Sequence, residues 1–504
     1  MDDINFADST PRINRREALK KLSAASAACV SPVLLHSAAW ADDANSFDVI
    51  VVGAGMAGLN AARKLIQKGY RVRVLEASDR HGGRVYTKTL GSTRIEMGAE
   101  EHYLAKNNPV YNAVVGELGS DAYVRAYQGD SIIEIDGKTC WENTGNCDSD
   151  PDIGDYWSYW SHYNKSNKHK DSSVSMAADV LEHYGVGEGH RAYHLYDNGI
   201  AGSIYGTSLD KIGITSLGRQ SFNWTLSSDI RVIKHHDIGY LDVLNKVWWN
   251  PVLEHVSFNR PVTKIDTRGD HVVVSDAKGA QYHAHKVIVT VSIGVLQSET
   301  IEFVPALPAS TVDAYQNIGM GIGMKVALRF KKQLWEDKFA YVTADGPMTV
   351  GWVPSAYKEG SDDQIFMCYP MGKNADSLIQ ISRNAGGGKA GDKAIVKVML
   401  DDLDRLFNNT ASPNFIDSVV QNWGDNPFIR GSYSHPTLNT YKTLELSKRK
   451  ELAKPVNDRI FFAGEGSNHK NPATVPGALA EGARAAGQIN SQLEGVSQPP
   501  AINA

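Results

Sequence analysis

The first strongly patterned segment of the chain is Phe47-Asp48-Val49-Ile50-Val51-Val52, which is apolar at nearly every position rather than at every second one. A run without alternation suits a parallel strand covered on both faces. It leads directly into Gly53-Ala54-Gly55-Met56-Ala57-Gly58, after which Leu59, Ala62, Leu65 and Ile66 recur at helical spacing until Gly69. Arg71-Val72-Arg73-Val74-Leu75 predicts a second strand, closing on Glu76. The order is strand, glycine turn, helix, strand and acid, within about thirty residues.

Beyond residue 125 the pattern changes. Residues 126–239 are rich in Trp, Tyr, Ser and Asn and predict mixed helices. A helical period returns over 240–256, followed by β-like runs at 272–274 and 286–291. A second mixed segment covers 301–454, and the last ordered stretch predicts a strand at 459–463, a glycine turn and a helix over 478–493. The tail past 497 predicts a frayed end.

Composition narrows the function classes. The 504 residues carry 52 Lys+Arg against 57 Asp+Glu, a net charge of −5, so no basic footprint points to nucleic acid. Four cysteines exclude a disulfide scaffold, although Cys140 and Cys147 lie close enough in sequence to bridge a hairpin in an oxidising compartment. Arg15-Arg16, the small-residue and apolar run to Leu35, and Ala39-Trp40-Ala41 predict an export signal over 1–41, cleaved after Ala41. The paired arginines are of the twin-arginine type, with Ala18 where Phe is usual, and predict a periplasmic protein with no membrane span in its mature form.

The glycine turn has the context of a dinucleotide site. Gly53 permits the turn, Gly55 lets the backbone approach a pyrophosphate, and Gly58 allows helix and strand to pack closely. The helix N-terminus, with Met56 and Ala57, offers unpaired N–H groups to phosphate. Glu76, followed by Ala77, is placed to accept hydrogen bonds from ribose hydroxyls and disfavours a 2′-phosphate. A second turn, His81-Gly82-Gly83-Arg84-Val85, adds an arginine beside the first. Together with Val51-Val52-Gly53-Ala54-Gly55, Glu76-Ala77-Ser78-Asp79-Arg80 and Phe461-Phe462-Ala463-Gly464-Glu465-Gly466, it resembles the flavin-containing amine oxidase family over nearly the whole chain from 47 to 490.

The resemblance implies an α/β fold: a FAD-binding Rossmann-type (glutathione-reductase-like) domain at 46–125, 240–300 and 455–495, interleaved with an α+β substrate-binding domain at 126–239 and 301–454. It implies FAD, contacted by Gly83, Arg84, Val262, Glu465 and Val475. Ser432 stands where some members carry a flavin-linking cysteine, so the FAD is expected to be non-covalent. Ser292 replaces a usual Pro. Lys325, in Met324-Lys325-Val326-Ala327-Leu328-Arg329-Phe330, resembles the lysine the family keeps near the flavin, with the plainer alternative that it is one more cation beside Lys331 and Lys332. Tyr433, in Gly431-Ser432-Tyr433, matches one ring of the family's aromatic cage, whereas the second ring position aligns with Thr474.

Where L-amino-acid oxidases of the family carry a carboxylate-binding arginine, this chain has Glu100-Glu101-His102. Glu101 and His102 are candidate substrate contacts, with one of the two acids equally readable as a surface residue, and His469 is a further candidate. The expectation is oxidation of a primary or secondary amine to an imine, hydrolysed to an aldehyde or ketone plus amine. Dioxygen or a periplasmic carrier would take the electrons, and the oligomeric state, a homodimer included, is open. The rivals are an L-amino-acid oxidase, a carotenoid- or porphyrinogen-type dehydrogenase, and a flavin-dependent isomerase or non-catalytic flavoprotein.

Overall fold

A computed structural model describes residues 45–103, 108–127, 129–142, 147, 149–165, 174–214, 230–438 and 442–494. The expected signal at 1–41 and the tail past 497 lie outside the described residues. Strand Ser46–Val52 runs parallel between Val72–Leu75 and Gln281–Val289. Val256–Ser257 extends the sheet beyond Val72–Leu75. Gln281–Val289 is long enough to pair with Val272–Asp276 along its first half and with Ile460–Phe462 along its second. Val262–Asp266 and Glu302–Val304 complete eight strands.

The unalternating sequence of the first strand follows from its two covered faces. Val49 and Val51 join one apolar core with the glycine-turn helix, while Ile50 and Val52 join another on the opposite face. Helices Met56–Ile66 and Val475–Leu493 pack together closely enough that a Cβ at Gly482 would stand 2.1 Å from the Ala57 carbonyl oxygen. Asn60 Nδ2 also donates to the Leu479 carbonyl at 2.7 Å, so these two helices, far apart in sequence, meet behind the turn.

Two boundaries differ from the sequence reading. The helix expected over 240–256 widens to a π turn at Asn245–Trp249 ahead of Pro251, which has no N–H to donate, and it ends at Leu253. Val256 is therefore a strand residue of the sheet. Strand Glu302–Val304, past the expected limit of 300, also pairs into this sheet.

A seven-stranded sheet takes strands from both mixed segments, in the order Phe415–Asn422, Met324–Phe330, Gln364–Cys368, Val350–Trp352, Phe339–Ala344, Asp130–Ile135 and Lys138–Trp141. Along Met324–Phe330, Met324, Val326 and Leu328 pack into the core under helices Gly372–Asn384 and Gly388–Leu406. The alternate positions, Lys325 and Ala327, face the other way. Cys140, in the last strand, is disulfide-bonded to Cys147.

Strand Asp130–Ile135 buries Glu134, which is 4% exposed. Burial, then the neighbouring Asp345 carboxylate, pushes the Glu134 carboxyl up to about 7 against the opposing pull of Arg405. The folded state thus holds this proton more tightly than the unfolded chain, and stability falls as pH climbs from about 4.5 through 7. Glu134→Gln, which mimics the protonated acid, should match the wild type below pH 4.5 and exceed it by about 3 kcal/mol at pH 8 in chemical unfolding.

Candidate active site

One cavity, of about 1460 Å³, is lined from both sheets, from Val52 and Leu75 on one side to Lys325 and Trp352 on the other. Its volume exceeds the few hundred to about 1,000 Å³ of an ordinary small-molecule site and suits a dinucleotide together with a substrate. Gly53, Gly55, Met56, Ala57, Glu76 and Ala77 form one end of the lining, with Gly83, Arg84 and Val262 beside them. Gly58 stands behind the lining, where a Cβ would come within 2.0 Å of the Gly53 carbonyl oxygen.

Gly55 differs from the other turn glycines in kind. Its φ is −76°, open to any residue, and a Cβ there would meet no protein atom within 4 Å. Nothing in the protein's own packing requires glycine at this point. The space its missing side chain leaves is cavity, at the N-terminus of helix Met56–Ile66, where a phosphate group fits.

Glu76 closes its strand with one carboxylate oxygen accepting from the Ala54 N–H at 2.6 Å and the other from the Ser78 N–H and hydroxyl at 2.9 and 2.7 Å. A carboxylate offers about four acceptor sites, so capacity remains for a ribose hydroxyl. Glu465 has none to spare: it accepts from Arg84, from the Ser434 N–H and hydroxyl, and from the Ala473 N–H. Burial would raise its carboxyl, but the Arg84 guanidinium, the Ser434 hydroxyl and Arg449 outweigh burial and hold it below the usual range. Glu465 therefore acts by holding Arg84, whose guanidinium also donates to the Ser432 carbonyl at 2.8 Å.

At the other end, Lys325 is 5% exposed, unlike the exposed Lys331 and Lys332. Its Nζ donates to Glu100 Oε2 at 2.7 Å and to the Glu96 carbonyl at 3.0 Å, and lies 4.9 Å from the Trp352 ring centroid. Neither acid of the Glu100-Glu101 pair is a surface residue: both line the cavity, and Glu101 accepts from the Tyr127 hydroxyl at 2.8 Å. His102 is 2% exposed with Nδ1 against the Tyr123 hydroxyl at 3.0 Å. Burial, then Lys358, lowers its imidazole to about 3, so it is neutral.

Tyr433 lines the cavity, its hydroxyl donating to the Ser203 carbonyl at 3.1 Å. Tyr369, hydrogen-bonded to Tyr433, and Trp352 stand in the same wall. These two rings were not singled out from sequence. Tyr369 follows Gln364–Cys368, the strand beside Met324–Phe330, and Trp352 ends the next strand out, Val350–Trp352; the run Ile365-Phe366-Met367-Cys368-Tyr369 ending in a polar ring was the only local sign. Thr474 lines the cavity but caps helix Val475–Leu493, its hydroxyl accepting from Gly477 N–H and donating to the Asn471 carbonyl. Val475 also lines the cavity. His469 does not; it is half-buried near Lys450 and Glu481.

Fold and site together define a dinucleotide-dependent α/β protein with a buried lysine facing the ligand space. The chain belongs to the flavin containing amine oxidoreductase family, which residues 56–490 match. It is 28% identical over 471 residues to human lysine-specific histone demethylase 2, covering 89% of this chain and 54% of that protein. It is 26% identical over 454 residues to polyamine oxidase 2 of Arabidopsis thaliana, covering 87% of each. The chain thus spans about half the length of the demethylases it matches. Its fold is similar to a putrescine oxidase solved with putrescine (TM-score 0.68, 18% identity, 88% of this chain and 99% of that one). It is also similar to cyclohexylamine oxidase from Brevibacterium oxydans (TM-score 0.69, 18% identity, 89% and 99%).

Family membership makes the ligand of this cavity FAD, and the open space at Gly55 fits its pyrophosphate. Ser432 presents a hydroxyl rather than a thiol, in keeping with non-covalent binding. Gly55→Ala should leave apoprotein stability unchanged, because the new methyl meets no protein atom, yet weaken FAD binding at least about tenfold, ~1.4 kcal/mol, in fluorescence titration. Gly58→Ala should instead lower the melting temperature.

Proposed function

We propose that this chain is a periplasmic, FAD-dependent amine oxidase or dehydrogenase. The observation that carries the reading is the placement of Lys325, Tyr433, Tyr369 and Trp352 in the same cavity as the dinucleotide turns. Bound there, FAD supplies the acceptor for a hydride equivalent from the carbon beside the substrate nitrogen. The residues around Lys325 do the rest. Aromatic rings flank the substrate and exclude water, and Lys325 offers a donor on the cavity wall. The amine reacts with its lone pair free, water hydrolyses the imine to an aldehyde or ketone plus ammonia (from a primary amine) or the shorter amine (from a secondary one), and dioxygen or a periplasmic carrier is the final acceptor.

The acids favour an amine over an amino acid. Lys325 is already paired with Glu100, and Glu101 adds a carboxylate beside it, so a substrate carboxylate entering here meets like charge. Export is supported by Arg15-Arg16 and the Ala39-Trp40-Ala41 site. The Cys140–Cys147 disulfide supports it too, since such bonds persist in oxidising compartments. Among the described residues no helix is long and apolar enough to cross a membrane.

Anaerobic mixing with a panel of monoamines, diamines, polyamines and amino acids should bleach the flavin absorbance with an amine and not with amino acids. Bleaching by none of them would refute the reading. Lys325→Met should retain bound FAD while slowing bleaching by the best amine about 10²-fold; an unchanged rate would remove Lys325 from the chemistry.

A further inference from the structure

Glu100 is the least expected member of the site. It is 8% exposed, and each of its oxygens is engaged by a different element. Oε2 accepts from Lys325 Nζ on strand Met324–Phe330, and Oε1 accepts from the Tyr357 hydroxyl, which follows strand Val350–Trp352. Burial, then the Glu100 charge, holds the Tyr357 hydroxyl well above its ordinary value, so this phenol remains a donor. An ammonium has three N–H donors. Glu100 and the Glu96 carbonyl take two, which leaves one for a water or ligand in the cavity.

We propose that Glu100 is a positioning residue for amine oxidation: it holds Lys325 as an ammonium at the cavity wall, so that the pair stays net neutral and Lys325 serves as a fixed hydrogen-bond donor rather than as a base. Desolvation alone disfavours a buried lysine's charge, and a carboxylate 2.7 Å away supplies the compensating attraction. The other titratable groups around the pair are differently engaged. Glu96, raised by burial, accepts from the Thr87 hydroxyl and the Tyr240 N–H. Glu101 accepts from Tyr127, and His102 is neutral. Lys358, lowered by burial, donates to the His235 carbonyl. Tyr369 contributes a ring 5.9 Å from Nζ.

The proposal rests on the reading of Lys325 above, and its test is read on the resting holoenzyme without any amine. In Glu100→Gln, the bound flavin's visible absorbance should acquire a pH titration that the wild type lacks, as the ammonium loses its counter-charge. Glu100→Gln/Lys325→Met should lack that titration and recover most of the melting temperature lost in Glu100→Gln, and Glu100→Asp should restore the wild-type spectrum. A Glu100→Gln spectrum that titrates like the wild type overturns the proposal. So does a new titration that survives in the double variant, which would belong to Glu96, Glu101 or Lys358. If Glu100→Gln yields no folded holoenzyme, a double variant that folds and binds flavin supports the proposal, and one that also fails overturns it. These spectra can fail while an amine still bleaches the wild type, and can hold if none does.

Discussion

The carboxylate of Glu465 is the point on which the two halves of the molecule turn. It is 5% exposed and would cost several kcal/mol as an unpaired buried charge. Arg84, 381 residues away in sequence, meets it at 2.8 Å, while Ser434 and Ala473 supply the remaining donors. One ion pair thereby joins the second glycine turn, the segment carrying Tyr433 and the turn before the last helix. Arg449, fully buried, closes the same knot by donating to the Ser434 hydroxyl and the Gly466 carbonyl. These bonds form only when all these segments are in place, so the dinucleotide end of the cavity and its substrate end are built together.

A second constraint is the alternation of a single strand. Met324–Phe330 turns Met324, Val326 and Leu328 into a core under two helices, and the pleat then sends Lys325 to the opposite face. A one-residue slip would bury the wrong set and take the ammonium away from Glu100. Pairing with Gln364–Cys368 on one side and Phe415–Asn422 on the other holds that register; Gln364–Cys368 leads into Tyr369, and its own further partner, Val350–Trp352, brings Trp352 to the cavity. The position of the lysine is thus a property of the sheet, not of its immediate sequence.

Local signals were legible where local physics suffices. The unalternating run at 47–52, the glycines at 53, 55 and 58, the helix after them and the acid at 76 form one pattern within about thirty consecutive residues. Arg84 and Glu465 could be named from their turns, but not the fact that they bind each other, because nothing short-range couples positions so far apart. The acidic pair shows the same limit. Sequence singled out Glu101 and not Glu100, with one of the two acids equally readable as a surface residue, whereas packing buries Glu100 between a lysine and a tyrosine. Thr474 aligned with a cage ring, yet its hydroxyl is spent on a helix cap.

By itself the sequence determined the dinucleotide-binding unit and the flavin family, since each is carried by short runs of adjacent residues, and it offered Lys325 as a candidate beside Lys331 and Lys332. Only the tertiary structure decided what the lysine is paired with, which rings face it, and where the glycine at 55 leaves room. Those properties arise between elements brought together by burying two sheets around one cavity, and a charge or a void acquires its meaning from the neighbours that burial assigns to it.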